Sequence, residues 1–158
     1  MPQRRSHIAP SAAQSELAAT LASLRDEIDA PGEFSREALA EAETSKAVAP
    51  DVDLRDVAFS TLDPVGSRDL DQAFHLERAG SGFTVRYAIA DVPGFVVPGG
   101  AVDRAARERG QTLYAADGTI PLHPRALSED RASLLPGLER PALVWTFALD
   151  DGAEVTDF

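Results

Sequence analysis

Residues 69–92, DLDQAFHLERAGSGFTVRYAIADV, constrain the fold more than any other stretch of the chain. Leu70, Gln72, Phe74 and Leu76 alternate with Asp69, Asp71, Ala73, His75 and Glu77, the two-residue period of a strand. AGSG at 79–82 reads as a turn, and the apolar run 83–92 returns antiparallel, so the stretch predicts a β-hairpin. PGFVVPGG then leads into a short helix across residues 101–109, stopped by Gly110. Near the end, ALVWTFAL at 142–149 is a strong strand, followed by a DDG turn and a few residues of a returning strand. Trp145 and Phe147, at alternate positions, are expected in the core. A strand left at a sheet edge offers unpaired backbone groups, so the chain reads as a piece that stops inside a hairpin.

Upstream, Val57, Phe59, Thr61 and Asp63 share one face of an extended segment that ends beside Pro64. Residues 1–10 read as a disordered start. Leu17, Leu21, Leu24 and Ile28 recur at spacings of three and four, an amphipathic helix over residues 11–28 closed by Pro31 and Gly32. A second helix runs from Ser35, as N-cap, to about residue 47. These helices read as a lead-in, residues 1–50, packed on the sheet of residues 51–158. The fold class expected is α+β, a largely antiparallel sheet with flanking helices. Residues 111–137 form a long irregular stretch, either a binding or cleft-shaping loop or a surface excursion with a Ser128-capped turn.

Composition narrows the chemistry. The chain has no cysteine, so disulfide partners and thiolate metal sites are excluded, and only His7, His75 and His123 remain as nitrogen ligands. Any metal would be oxygen-bound, such as magnesium or manganese. No run of about eighteen apolar residues occurs, and the N-terminus lacks an apolar leader segment, so no membrane partner and a cytoplasmic location are expected. The formal net charge of −11 is the opposite of the basic footprint of a module that grips phosphates by itself. Lys46 is nevertheless the only lysine, and the remaining cations are arginines able to pair bidentately with carboxylate or phosphate.

Against that background the stretch STLDPVGSRDLDQAF crowds Asp63, Asp69 and Asp71 together. Two carboxylates about 4 Å apart repel by roughly 4 kcal/mol at an effective dielectric near 20, so a converged cluster needs a cation or protonation. Magnesium takes oxygen ligands of this kind together with water and phosphate oxygens. Read separately, Asp63 is a turn initiator before Pro64, Asp69 a cap or a partner of Arg68 or Arg55, and Asp71 a solvated strand residue. An EF-hand loop starting at Asp69 fails, because Phe74 and Gly80 stand where Gly and Glu are required. A DxD phosphatase nucleophile would end a continuous apolar strand, whereas Asp69 follows Gly66, Ser67 and Arg68.

Three stretches together resemble the RNB catalytic domain of the ribonuclease II and ribonuclease R family. They are DLRDVAFSTLDPVGSRDLDQAF, YAIADVPGFVVPGG and RGQTLYAADGTIPLHPRALSEDRASLLPG, and the likeness runs over residues 51–155. The resemblance implies processive, magnesium-dependent hydrolysis of single-stranded RNA from its 3′ end, releasing nucleoside 5′-monophosphates. It places Asp63, Asp69 and Asp71 on the family's metal-binding and catalytic aspartates, with Asp69 and Asp71 as the catalytic pair. Tyr114 falls on the tyrosine that stacks on a base near the 3′ end.

The family's fourth acidic position is Gln72 here, which keeps an oxygen ligand and loses a charge; DLDQA is similar to one branch of bacterial relatives. The family's domain is about twice this length, and its completing arginine and glutamate lie in the other half. The remainder of such a domain is thus an expected requirement for a complete site, and the chain alone is expected to have little or no exonuclease activity. The competing reading is a catalytically inactive RNB remnant or an acidic interaction module. Of the other candidates, His75 is expected to be packed or at the surface and Asp91 to make turn or cap hydrogen bonds. Arg68 either touches phosphate or neutralises the acidic cluster.

Overall fold

The computed structural model describes residues 12–158, with side chains from residue 16 onward; the start expected to be disordered lies outside the described residues. Two helices lead, α1 (Ala12–Glu27) and α2 (Arg36–Thr44). Ser35 begins α2 as expected, its Oγ accepting a hydrogen bond from the Ala38 N–H at 3.1 Å. The hairpin follows as β1 (Gln72–Ala79) and β2 (Gly82–Ala90), then α3 (Ala101–Arg109), which Gly110 stops in the left-handed region at φ 71°. A small hairpin, β3 (Leu113–Ala115) and β4 (Gly118–Ile120), precedes a π-helical turn at Leu127–Arg131, and β5 (Ala142–Leu149) and β6 (Val155–Asp157) close the chain.

The main sheet has the order β1-β2-β5-β6 and is antiparallel throughout, which places the chain in the α+β class. Its register pairs Phe74 with Tyr87 and Tyr87 with Trp145, a row of aromatic residues across three strands. Leu76, Val85 and Phe147 form the next row of the same face. The opposite face carries small residues, Ala73 beside Ala88 and Ala88 beside Val144.

The core lies elsewhere. Ala42, Phe95, Val102, Leu127 and Ala132 are buried together, with Val92 and Val96 packed on them, so α2 and α3 meet beyond the C-terminal end of β2. The lead-in helix α2 therefore packs on α3 rather than on the sheet. Trp145 is a second correction: it is 44% exposed, and Phe147 is only half-buried, because the aromatic face has no element laid over it among the described residues.

Two local expectations also change. Residues 57–63 form no strand; a single bridge joins Ser60 to Phe74 through two hydrogen bonds of 2.9 Å. The Phe59 N–H bonds back to the Val57 carbonyl at 2.9 Å, a tight turn that interrupts the extended run just before the bridge. Ser128 caps nothing: the π-helical turn is flanked by Ala126 without a side-chain cap, and the Pro124 carbonyl receives the Leu127 and Ser128 N–H groups. Among the described residues no helix is long and apolar enough to cross a membrane.

Candidate metal and RNA site

The acidic loop, residues 61–71, is irregular but fixed at several points. A turn at 64–67 is closed by the Ser67 N–H bonding to the Pro64 carbonyl at 3.0 Å. Gly66 sits there at φ 94°, a conformation that disfavours any residue with a Cβ. Leu70 is buried, and its neighbours Asp69 and Asp71 are exposed, while Asp63 is half-buried. Successive side chains of an extended segment point to opposite sides, so anchoring Leu70 inward presents both aspartates to solvent.

Backbone contacts hold this arrangement. The Asp71 carbonyl accepts from the Ala90 N–H at 2.9 Å, tying the loop to the end of β2. The Leu70 carbonyl accepts from the Leu134 N–H at 2.8 Å. Ser133, 2% exposed, accepts from the Leu70 N–H at 2.9 Å and donates to the Arg68 carbonyl at 2.6 Å. Ser133 is the one buried polar side chain among the described residues, and sequence reasoning missed it. Its signal was a lone hydroxyl in the otherwise apolar run ASLLPG.

Among the described residues Arg68 forms no ion pair with these carboxylates and donates to the Glu129 carbonyl at 3.4 Å. Among the described residues, Asp63, Asp69 and Asp71 enter none of the ion pairs. As unpaired oxygen donors they match a hard cation in chemical type. They do not form a ready-made cage: among the described residues no group of three or more His, Cys, Asp or Glu side chains could hold a metal ion. Gln72 begins β1, and its Oε1 accepts a hydrogen bond from the Tyr87 hydroxyl, so the neutral oxygen at this position already has one partner.

Tyr114 lies on β3 opposite Thr119 and is 79% exposed. The turn of that hairpin is anchored to α1 by Arg25 and Asp117 at 2.5 Å. His75 is packed as expected, its Nδ1 3.0 Å from the Ala58 carbonyl and its ring edge-on to Phe59. Asp91 accepts from the Gly94 N–H at 2.9 Å, the turn-capping role expected of it.

A cavity of about 950 Å³ lies on the small-residue face of the sheet, between residues 50–59 and 134–142. None of the three aspartates lines it. On its rim Arg55 pairs with Asp53 at 2.6 Å and Glu139 at 2.9 Å. The hydrogen bonds from Arg55 hold the Asp53 carboxyl down at about 2. The three aspartates lie outside this cavity, on the open acidic loop.

The curated relatives of the chain include exoribonuclease 2 of Vibrio vulnificus, 34% identical over 107 residues, which are 67% of this chain and 16% of that protein. Ribonuclease R of Escherichia coli is 36% identical over 114 residues, 72% of this chain and 14% of that protein. The chain thus spans only a small part of these relatives. The structure of Mycoplasma genitalium RNase R in complex with ribose methylated single-stranded RNA superposes with a TM-score of 0.79 at 24% identity. That match covers 89% of this chain and 23% of the other, and shows the fold. The RNB domain matches residues 51–158, and the chain belongs to that family.

Proposed function

We propose that the chain carries the acidic loop of a magnesium-dependent 3′-to-5′ exoribonuclease acting on single-stranded RNA, with Asp63, Asp69 and Asp71 as metal ligands. In the overall reaction an oxygen of water bonds to the terminal phosphorus as the bond to the preceding 3′ oxygen breaks. The products are a nucleoside 5′-monophosphate and a shortened RNA with a new 3′-hydroxyl. A bound magnesium ion, with manganese as a substitute, supplies charge neutralisation at the phosphate oxygens. The observation that carries the reading is the pair Asp69 and Asp71, exposed and unpaired on either side of buried Leu70.

The chain's own residues have separable parts. The bond from the Ala90 N–H fixes Asp71 against the sheet, and Leu70 turns both carboxylates outward. Gln72 adds a neutral oxygen beside them, oriented by Tyr87. The exposed ring of Tyr114 suits stacking on a base, a contact that tolerates any sequence. The second reading, an acidic interaction module without catalysis, draws on the lack of a preassembled three-ligand cage among the described residues.

Calorimetric titration with manganese or magnesium separates the two. The wild-type chain is expected to bind the ion, and Asp69→Asn and Asp71→Asn are each expected to weaken it about tenfold or more. Absence of binding, or binding indifferent to both substitutions, favours the interaction module.

A further inference from the structure

We propose that Ser133 is the positioning residue of the acidic loop, setting the backbone at Asp69 so that its carboxylate stands beside that of Asp71. A hydroxyl has one hydrogen to donate and two lone pairs. Here the hydrogen goes to the Arg68 carbonyl at 2.6 Å, and one lone pair takes the Leu70 N–H at 2.9 Å. Those two groups belong to the peptide units on either side of the Asp69 α-carbon. Their orientations define φ and ψ of that residue, so one buried oxygen fixes the direction in which Asp69 leaves the chain.

The backbone of Ser133 is held independently of its hydroxyl. Its carbonyl accepts from Arg140 Nε at 3.2 Å, and the next N–H, that of Leu134, bonds to the Leu70 carbonyl at 2.8 Å. Arg140 is itself mostly buried and also donates to the Asp130 carbonyl at 3.2 Å. Removing the hydroxyl therefore leaves the support in place and frees only the loop. Ser133 touches no reacting atom in this arrangement; it acts through Asp69.

The inference rests on reading the acidic loop as a cation site, and the experiment keeps the two apart. In the full chain, the Leu70 amide is expected to be protected from hydrogen exchange, and Ser133→Ala to remove at least about tenfold of that protection. Val102→Ala, a core substitution on α3 that leaves the Ser133 hydroxyl in place, serves as the control for general destabilisation. Manganese affinity is expected to fall about tenfold in Ser133→Ala and to hold in Val102→Ala. In Ser133→Ala combined with Asp69→Asn, affinity is expected to match Asp69→Asn alone within about twofold, because the serine works through that aspartate. Unchanged Leu70 exchange in Ser133→Ala, or a loss equal to that of Val102→Ala, overturns the proposal. So does full additivity of the two substitutions. A wild-type chain that binds no manganese overturns the cation reading, while Leu70 exchange still decides whether Ser133 fixes the loop.

Discussion

Among the described residues His123 has a buried Nδ1 with no hydrogen-bond partner, and burial pushes its pKa below the ordinary value. The folded state thus binds the proton less readily than the unfolded chain, whose imidazole titrates near about 6.5. The resulting contribution to stability is fully present above that pH. It is lost progressively as pH falls from there toward the folded pKa, since the unfolded state takes up the proton first. Urea midpoints between pH 5.5 and 7.5 should show the wild type weakening toward acid relative to His123→Leu; a pH-independent difference would remove the imidazole from the account. The sequence alone did not single out this histidine. At the same scale Ser35 was legible as a cap because the N-cap signal is local, whereas the Ser133 contact spans more than sixty residues and follows no period.

Among the elements, α3 has an unusual start. Its N-cap is Gly100, which offers no side chain, and the carboxylate of Glu41 on α2 fills the role. It accepts from the Ala101 N–H at 2.6 Å and more loosely from the Val102 N–H at 3.4 Å. A Cβ at residue 100 would lie 2.5 Å from Glu41 Oε1, so the glycine makes room for the borrowed cap. A negative group also suits the positive end of the helix. Glu41→Ala is expected to lower unfolding free energy by about 1–2 kcal/mol, as loss of an N-cap does. Glu41→Gln should recover part of it, and equal urea midpoints for Glu41→Ala and wild type would show the contact to be idle. The elements that sequence reasoning placed, the hairpin, α3 and β5, carry their own periodicity and stop signals. Segment 57–63 alternates like a strand, yet the backward bond from Phe59 overrides that pattern. The hairpin β3–β4 has three residues in each strand, too few for a period to register.

Over the whole molecule, burial is divided unevenly between two places. The helices and the π-helical turn enclose Leu127 and Val102 completely, while the sheet leaves Leu76, Leu143 and Trp145 open on its aromatic face. Alternation along β5 correctly grouped Trp145 and Phe147 on one face, but a period says only which side chains travel together. Whether another layer covers that face depends on chain far away, so the placement of Trp145 in the core was a reasonable inference from pattern and a wrong one. An exposed apolar patch of this kind has measurable consequences. Trp145 is the only tryptophan, so its emission reports the face directly. The native chain is expected to show water-exposed, acrylamide-quenchable fluorescence, and to bind an apolar dye that accepts energy from the indole. Trp145→Thr, which keeps a strand-favouring residue, should abolish the transfer and cost less than about 1 kcal/mol, against the roughly 3–5 kcal/mol of a buried tryptophan truncated to a small residue. A loss in the upper range, with blue-shifted and unquenched emission in the wild type, would mean that the face is covered in solution.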